Sequence, residues 1–172
     1  MTVKRAGLLY GLITGLIIVV YAFFLLYIKK DPNPSTLGLV SSFLLIGGIA
    51  YALLEFRKYN HGYITLKEGM GVSFYVSLLA GLGLGYYYYY FLSFVDYSLL
   101  HQLQKDQLQV LEDKGFEGKE LALIKEQIPY IVTPFFFSFI NMIATLFQGL
   151  LLGTLMSVIL RKLPESNSDE RN

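Results

Sequence analysis

The chain is 172 residues long, 54% hydrophobic and only 16% charged, with a mean hydropathy of +0.49; a water-soluble domain carries about 25% charged residues, so this composition suits lipid as solvent. A net charge of +1 with no concentrated basic face excludes nucleic acid as a main partner. The absence of cysteine excludes disulfides, thiolate metal sites and thiol nucleophiles, and the absence of tryptophan leaves any interfacial aromatic belt to tyrosine and phenylalanine.

Four stretches free of charge are long enough to cross a hydrocarbon layer of about 30 Å, which takes roughly 20 helical residues. They predict spans over about residues 6–28, 37–54, 70–95 and 130–160, each bounded by charged residues such as Lys4 and Arg5, Lys29 to Asp31, Glu55 to Lys58, and Arg161 with Lys162, and Pro134 opens the helix of the fourth. Backbone groups in lipid must be satisfied internally, and the alternating pattern of a barrel is missing, so helices are expected. The first stretch follows two cations, as a signal peptide does. Large residues from Phe24 to Ile28 stand where a small-residue cleavage site belongs, so it reads as a retained span. The fold class expected is an all-α membrane protein: four transmembrane helices in a bundle, one membrane domain over 1–172, with a disordered tail at 163–172.

Orientation follows from Lys and Arg in the connecting segments. With the N-terminus in the cytoplasm, eight cations lie inside (Lys4, Arg5, Arg57, Lys58, Lys67, Arg161, Lys162, Arg171) and six outside (Lys29, Lys30, Lys105, Lys114, Lys119, Lys125). The inside ones crowd the helix ends. Both termini are therefore expected in the cytoplasm.

Residues 96–128 separate the third and fourth spans and predict an amphipathic helical loop on the outer face. Leu99, Leu100, Leu103, Val110 and Leu111 share one helical arc, with polar residues mainly opposite. A break at Lys114–Gly115 follows. A second helix is expected from near Glu117, with Glu117 and Glu120 in its first turn, where the helix dipole favours acids. The pair either lies on the membrane surface or extends the neighbouring spans.

Small residues mark the expected packing faces. The pattern Gly-Leu-x-x-Gly occurs at 11–15, 81–85 and 149–153, making Gly7, Gly11, Gly15, Gly81, Gly85, Gly149 and Gly153 candidate packing positions, because close backbone approach supplies much of helix association in lipid. On the fourth span Ser138, Asn141, Thr145 and Gln148 form one polar face, readable as interhelical hydrogen bonding or as the lining of a small cavity. Five tyrosines at 86–90 lie about 24 to 30 Å along a helix begun at Met70, at the edge of the hydrocarbon layer. Set against the Gly81 and Gly85 direction, Tyr88 and Tyr89 are expected to turn inward, with Tyr86 and Tyr90 toward headgroups.

No Asp, Glu, Lys, Arg or His falls within any span, which argues against ion-coupled transport, proton relays and voltage sensing. His61 and His101 are assigned to opposite faces, which argues against a two-histidine metal site. The segment EFRKYNHGYITLKE at 55–68 is the densest polar cluster; it suits topology setting and contact with anionic lipid, and His61 is the best single candidate for an enzyme. GLGLGY lacks the third glycine of a dinucleotide fingerprint.

The glycine-bearing first span, the stretch RKYNHGYITLKEGMGVSF leading into the third, and LEDKGFEGKELALIKEQ before a proline-rich start to the fourth together resemble the family known as domain of unknown function 4199, small membrane proteins common in Bacteroidota. The likeness covers essentially the whole chain and implies a four-span inner-membrane protein; it carries no activity and no site residues. The YYYYY run is not part of that family pattern. The function expected is therefore non-enzymatic, without cofactor or metal, acting through membrane lipids, a protein partner or a second copy of the chain. The alternative is a binder or carrier of a lipid or small apolar metabolite, using a polar-lined cavity beside the fourth span.

Overall fold

The computed structural model describes residues 1–28 and 34–161. The tail 163–172 and the loop cations Lys29, Lys30, Lys162 and Arg171 lie outside the described residues. Within them the chain is helical, with no strand: α1 Val3–Tyr27, α2 Pro34–Tyr59, α3 Leu66–Tyr90 followed by a π-helical turn Phe91–Val95, α4 Ser98–Asp113, α5 Gly118–Ile131 and α6 Pro134–Leu160. Four of these elements are long and apolar enough to cross a membrane: Val3–Tyr27, Leu37–Tyr59, Leu66–Val95 and Pro134–Leu160.

Local chemistry sets the boundaries. The Thr2 hydroxyl accepts from the Arg5 N–H at 3.3 Å and caps α1. Arg57 and Lys58 occupy the last turn of α2, where the dipole favours cations. The chain then reverses through His61 (φ 54°) and Gly62 (φ 83°), held by the Gly62 N–H on the Arg57 carbonyl at 2.9 Å. The third span starts at Leu66 rather than at 70, because Thr65 and Glu68 form a reciprocal capping box. The Glu68 carboxylate accepts from the Thr65 N–H at 2.9 Å, and the Thr65 hydroxyl accepts from the Glu68 N–H at 3.3 Å.

The expected fourth span, about 130–160 with Pro134 opening its helix, begins at that proline. Residues 130 and 131 belong to α5, which runs through Pro129, and α6 begins at Pro134 with the Thr133 hydroxyl accepting from the Phe136 N–H at 3.2 Å. Proline lacks the N–H that the first helical position cannot use, so Thr133–Pro134 is the stronger start signal. Between α4 and α5, Gly115 takes φ 86°. The N–H groups of Gly115 and Phe116 reach the carbonyls of Glu112 at 2.9 Å and Leu111 at 3.2 Å, the two bonds of a Schellman ending.

The chain forms two compact units, Met1–Gly83 with Ile143–Asn172, and Leu84–Met142. In the first, α1 and α2 run antiparallel, with the Thr14 side chain filling the notch at Gly48. Alongside, α1 lies against α3. A Cβ placed on Gly11 would come within 2.9 Å of the Tyr75 carbonyl oxygen and the Val76 Cα, so only glycine permits that backbone approach. The opposite side of α1 leaves Leu8, Leu12, Leu16 and Phe24 exposed, as expected where lipid tails are as apolar as the side chains.

The second unit contains the end of α3, the π-turn, the α4–α5 hairpin and the start of α6. Tyr87, Phe91, Leu92, Leu100 and Ile128 are buried in it. The Asp96 N–H donates to the Phe91 carbonyl at 3.0 Å, the i→i+5 bond of the π-turn. Gln104 of α4 donates to the Val132 carbonyl at 3.1 Å and ties the hairpin to the connection before α6.

Candidate functional site

Within the first unit the chemistry-bearing side chains of α3 and α6 meet in an antiparallel seam. Ser77 fills the space at Gly149, Ser73 that at Gly153, and Ser157 that at Gly69; four residues up one helix match four down the other. The same register sets the buried Gly81 level with the buried Thr145. Each serine hydroxyl donates to its own helix: Ser73 to the Gly69 carbonyl at 2.8 Å, Ser77 to Ser73 at 2.7 Å, Ser157 to Gly153 at 2.6 Å. The hydroxyls are thus hydrogen-bonded where they sit and act across the seam by shape. Gly7 and Gly15, with Gly11, make the separate seam on α3, where an added Cβ would stand 2.5 Å from the Tyr75 Cβ and 3.0 Å from the Leu79 carbonyl oxygen respectively.

The four polar residues of the fourth span have different surroundings. Ser138 is buried and its hydroxyl donates to the Pro134 carbonyl at 2.7 Å; the half-buried Asn141 amide donates to the Phe137 carbonyl at 2.8 Å. Both bonds stay within α6. Thr145 is buried. Gln148 is exposed and reaches across to α2, its amide donating to the Ser42 hydroxyl at 3.0 Å while that hydroxyl donates to the Gly38 carbonyl at 2.8 Å. In hydrocarbon an amide without a partner is costly, which is why this pairing matters more than its length suggests. Sequence reasoning missed Ser42, which stands beside Ser41 in the charge-free stretch of α2, and Ser157, although Ser157 stands four residues beyond Gly153 in the same small-residue row.

In the second unit, Gly85 lies against α6, where an added Cβ would meet the Ser138 carbonyl oxygen at 3.2 Å. Tyr88 turns inward as expected, 4% exposed, with its ring edge-on to Phe137 at 5.4 Å. Tyr89 does not: it is 43% exposed, and the second inward tyrosine is Tyr87 at 1%. The glycine direction alone misplaced the centre of burial. The buried row of α3 runs through Val72, Val76, Ala80 and Leu84, and Tyr87 continues it while Tyr89 falls on the other side. Tyr87 stacks on Phe91 at 5.9 Å, and Tyr86 and Tyr90 are exposed.

An open groove between α1 and α2, of about 400 Å³, is lined by Tyr10, Ile13, Thr14, Phe43, Gly47 and Tyr51, among others. Tyr10 and Tyr51 meet edge-on at its end, 5.5 Å apart. A Cβ on Gly47 would meet nothing within 4 Å, so the groove has room at that point. The polar turn at 55–68 spends much of its capacity on its own shape: Arg57 donates to the Gly62 carbonyl at 3.0 Å, Asn60 to the Tyr63 carbonyl at 3.2 Å, and Lys58 pairs with Glu55 at 3.5 Å. His61 is exposed at its tip, and His101 packs its ring on Tyr97 at 5.0 Å. Among the described residues no cluster of three or more His, Asp or Glu could hold a metal ion.

Four long apolar helices, packed in part through glycine seams and carrying a polar amphipathic hairpin, define a multi-pass helical membrane protein. Residues 8–162 match the family described as Protein of unknown function (DUF4199), and the chain belongs to it. No curated protein and no solved structure matches the chain.

Proposed function

We propose that the chain is a non-enzymatic protein of the inner membrane, with both termini in the cytoplasm, acting through protein or lipid contacts made chiefly by the α4–α5 hairpin. The observation that supports this is the hairpin's surface: Val110, Phe116, Leu123, Tyr130 and Ile131 are exposed among side chains that are mostly charged or amide. An amphipathic pair with unpaired apolar residues suits a partner or a membrane surface. The orientation rests on the crowding of Lys and Arg at one set of helix ends, and the inner membrane on the family resemblance.

The test is crosslinking of the full chain in native membranes, followed by purification in detergent. A stoichiometric partner or a homo-oligomer, lost on Phe116→Glu with Leu123→Glu, is the expected result. A monomer without partners would sink the reading. A ligand retained in native mass spectrometry, indifferent to the hairpin substitutions and lost on Asn141→Leu, would favour instead the carrier with a polar-lined cavity beside α6.

A further inference from the structure

Outside the hairpin, Lys4 and Arg5 form an exposed cationic surface at the start of α1. A hollow of about 530 Å³ is lined there by Thr2, Lys4, Arg5, Leu8, Leu9 and Leu12. All six are exposed, on the side of α1 away from the buried Ala6, Gly7 and Gly11, so the hollow opens to whatever surrounds the protein. No acid lies in the first turn of α1, and among the described residues neither Lys4 nor Arg5 joins an ion pair. That distinguishes them from Lys58, paired with Glu55, and from Arg57, committed to the Gly62 carbonyl.

We infer that this hollow is a binding site for an anionic phospholipid. The leucines supply a lipid-facing floor. From Lys4 to Leu12 the helix rises about 12 Å, enough for a phosphate to sit at the cations while the first part of an acyl chain lies along Leu8, Leu9 and Leu12. Arginine offers a planar fork that matches phosphate oxygens, and lysine a second point charge. Charge complementarity selects the lipid class. A zwitterionic lipid brings its own cation to a surface that already holds two, whereas a phosphatidylglycerol-type lipid brings one net negative charge and no cation. The apolar floor selects lipid over free phosphate, which would leave the leucines uncovered. This site is independent of the hairpin reading, since it uses no residue of α4 or α5.

The test uses the full chain in nanodiscs of equal parts phosphatidylglycerol and phosphatidylcholine, with lipids retained after release counted by native mass spectrometry. At about 1 kcal/mol per cation near a surface, retention should favour phosphatidylglycerol on the order of tenfold or more. Lys4→Gln with Arg5→Gln should bring the ratio close to one while leaving helicity by circular dichroism unchanged. Lys58→Gln with Lys67→Gln removes the same charge elsewhere and should leave the preference in place. The inference is overturned if the unmodified chain shows no preference, or if the two double variants lose it equally, which would mean diffuse charge rather than a site.

Discussion

The Ser77 side chain of α3 fills the notch that Gly149 leaves on α6 while its hydroxyl donates to the Ser73 carbonyl at 2.7 Å. One small side chain thus satisfies its own polarity and acts as the knob of a helix–helix contact. A Cβ at 149 would stand 2.6 Å from the Ser77 Cβ, so Gly149→Ala must push the helices apart. Overpacking of this kind costs about 1–3 kcal/mol, of which the better helix propensity of alanine returns up to about 1. Unfolding in detergent should therefore show a net loss for Gly149→Ala. The double variant with Ser77→Gly should recover more than additivity allows.

The Gln148–Ser42 pair makes an asymmetric prediction. Removing the amide with Gln148→Leu leaves a serine still bonded to Gly38 and an apolar group facing lipid, and should be close to neutral. Ser42→Ala leaves the Gln148 amide without its partner in the span and should be the more damaging of the two, although the pair's own coupling is about 1 kcal/mol or less. Equal effects from the two single variants would mean that the amide has found another partner.

Among the tyrosines, burial separates two neighbours that look alike. Tyr87 is 1% exposed and stacked on Phe91, while Tyr89 is 43% exposed. Tyr87→Ala empties a packed position, for which about 3–5 kcal/mol is the usual cost of losing a large aromatic side chain. Tyr89→Ala removes a surface ring and should stay within about 0.5 kcal/mol. A larger effect at 89 than at 87 would contradict the packing of the α3 end.

The spans were legible because lipid imposes a coarse rule, length without charge, that needs no knowledge of neighbours. The glycine faces were legible for a related reason. Gly7, Gly11 and Gly15 repeat at four residues, and that repeat is itself the shape of a seam. What the sequence hid was partner choice. Gly11 meets α3 and Gly149 also meets α3, from a different helix, and nothing in either pentapeptide distinguishes them. Tyr89 was misplaced by the same blindness, since α3 is buried along a row of Val72, Val76 and Ala80 that a glycine-centred wheel ignores. The boundary at Thr65 was readable as Thr-x-x-Glu, but hydropathy at 70 outweighed it, whereas Pro134 marked the start of the fourth helix directly. The Gln148–Ser42 bond joins residues 106 apart in the chain, a pairing that only tertiary structure reveals.

Orientation gives the last prediction. In the chain a single candidate span, Leu66–Val95, lies between the turn at 55–68 and the α4–α5 hairpin, so the proposed topology puts them on opposite faces of the membrane. The chain has no cysteine, so each introduced thiol reports alone. Tyr59 and Phe116 are exposed and uncharged, which lets Tyr59→Cys and Phe116→Cys be made without disturbing the Lys and Arg balance that sets topology. With an impermeant maleimide on intact cells, Phe116→Cys should label at once and Tyr59→Cys only after permeabilisation. The reverse pattern would turn the whole chain over, because α1 and α2 carry Lys4 and Arg5 to the same face as Tyr59. It would move the hollow at Lys4 and Arg5 into the other leaflet without changing its chemistry. The labelling experiment therefore decides which leaflet supplies the lipid, and the retention experiment decides whether the lipid is bound.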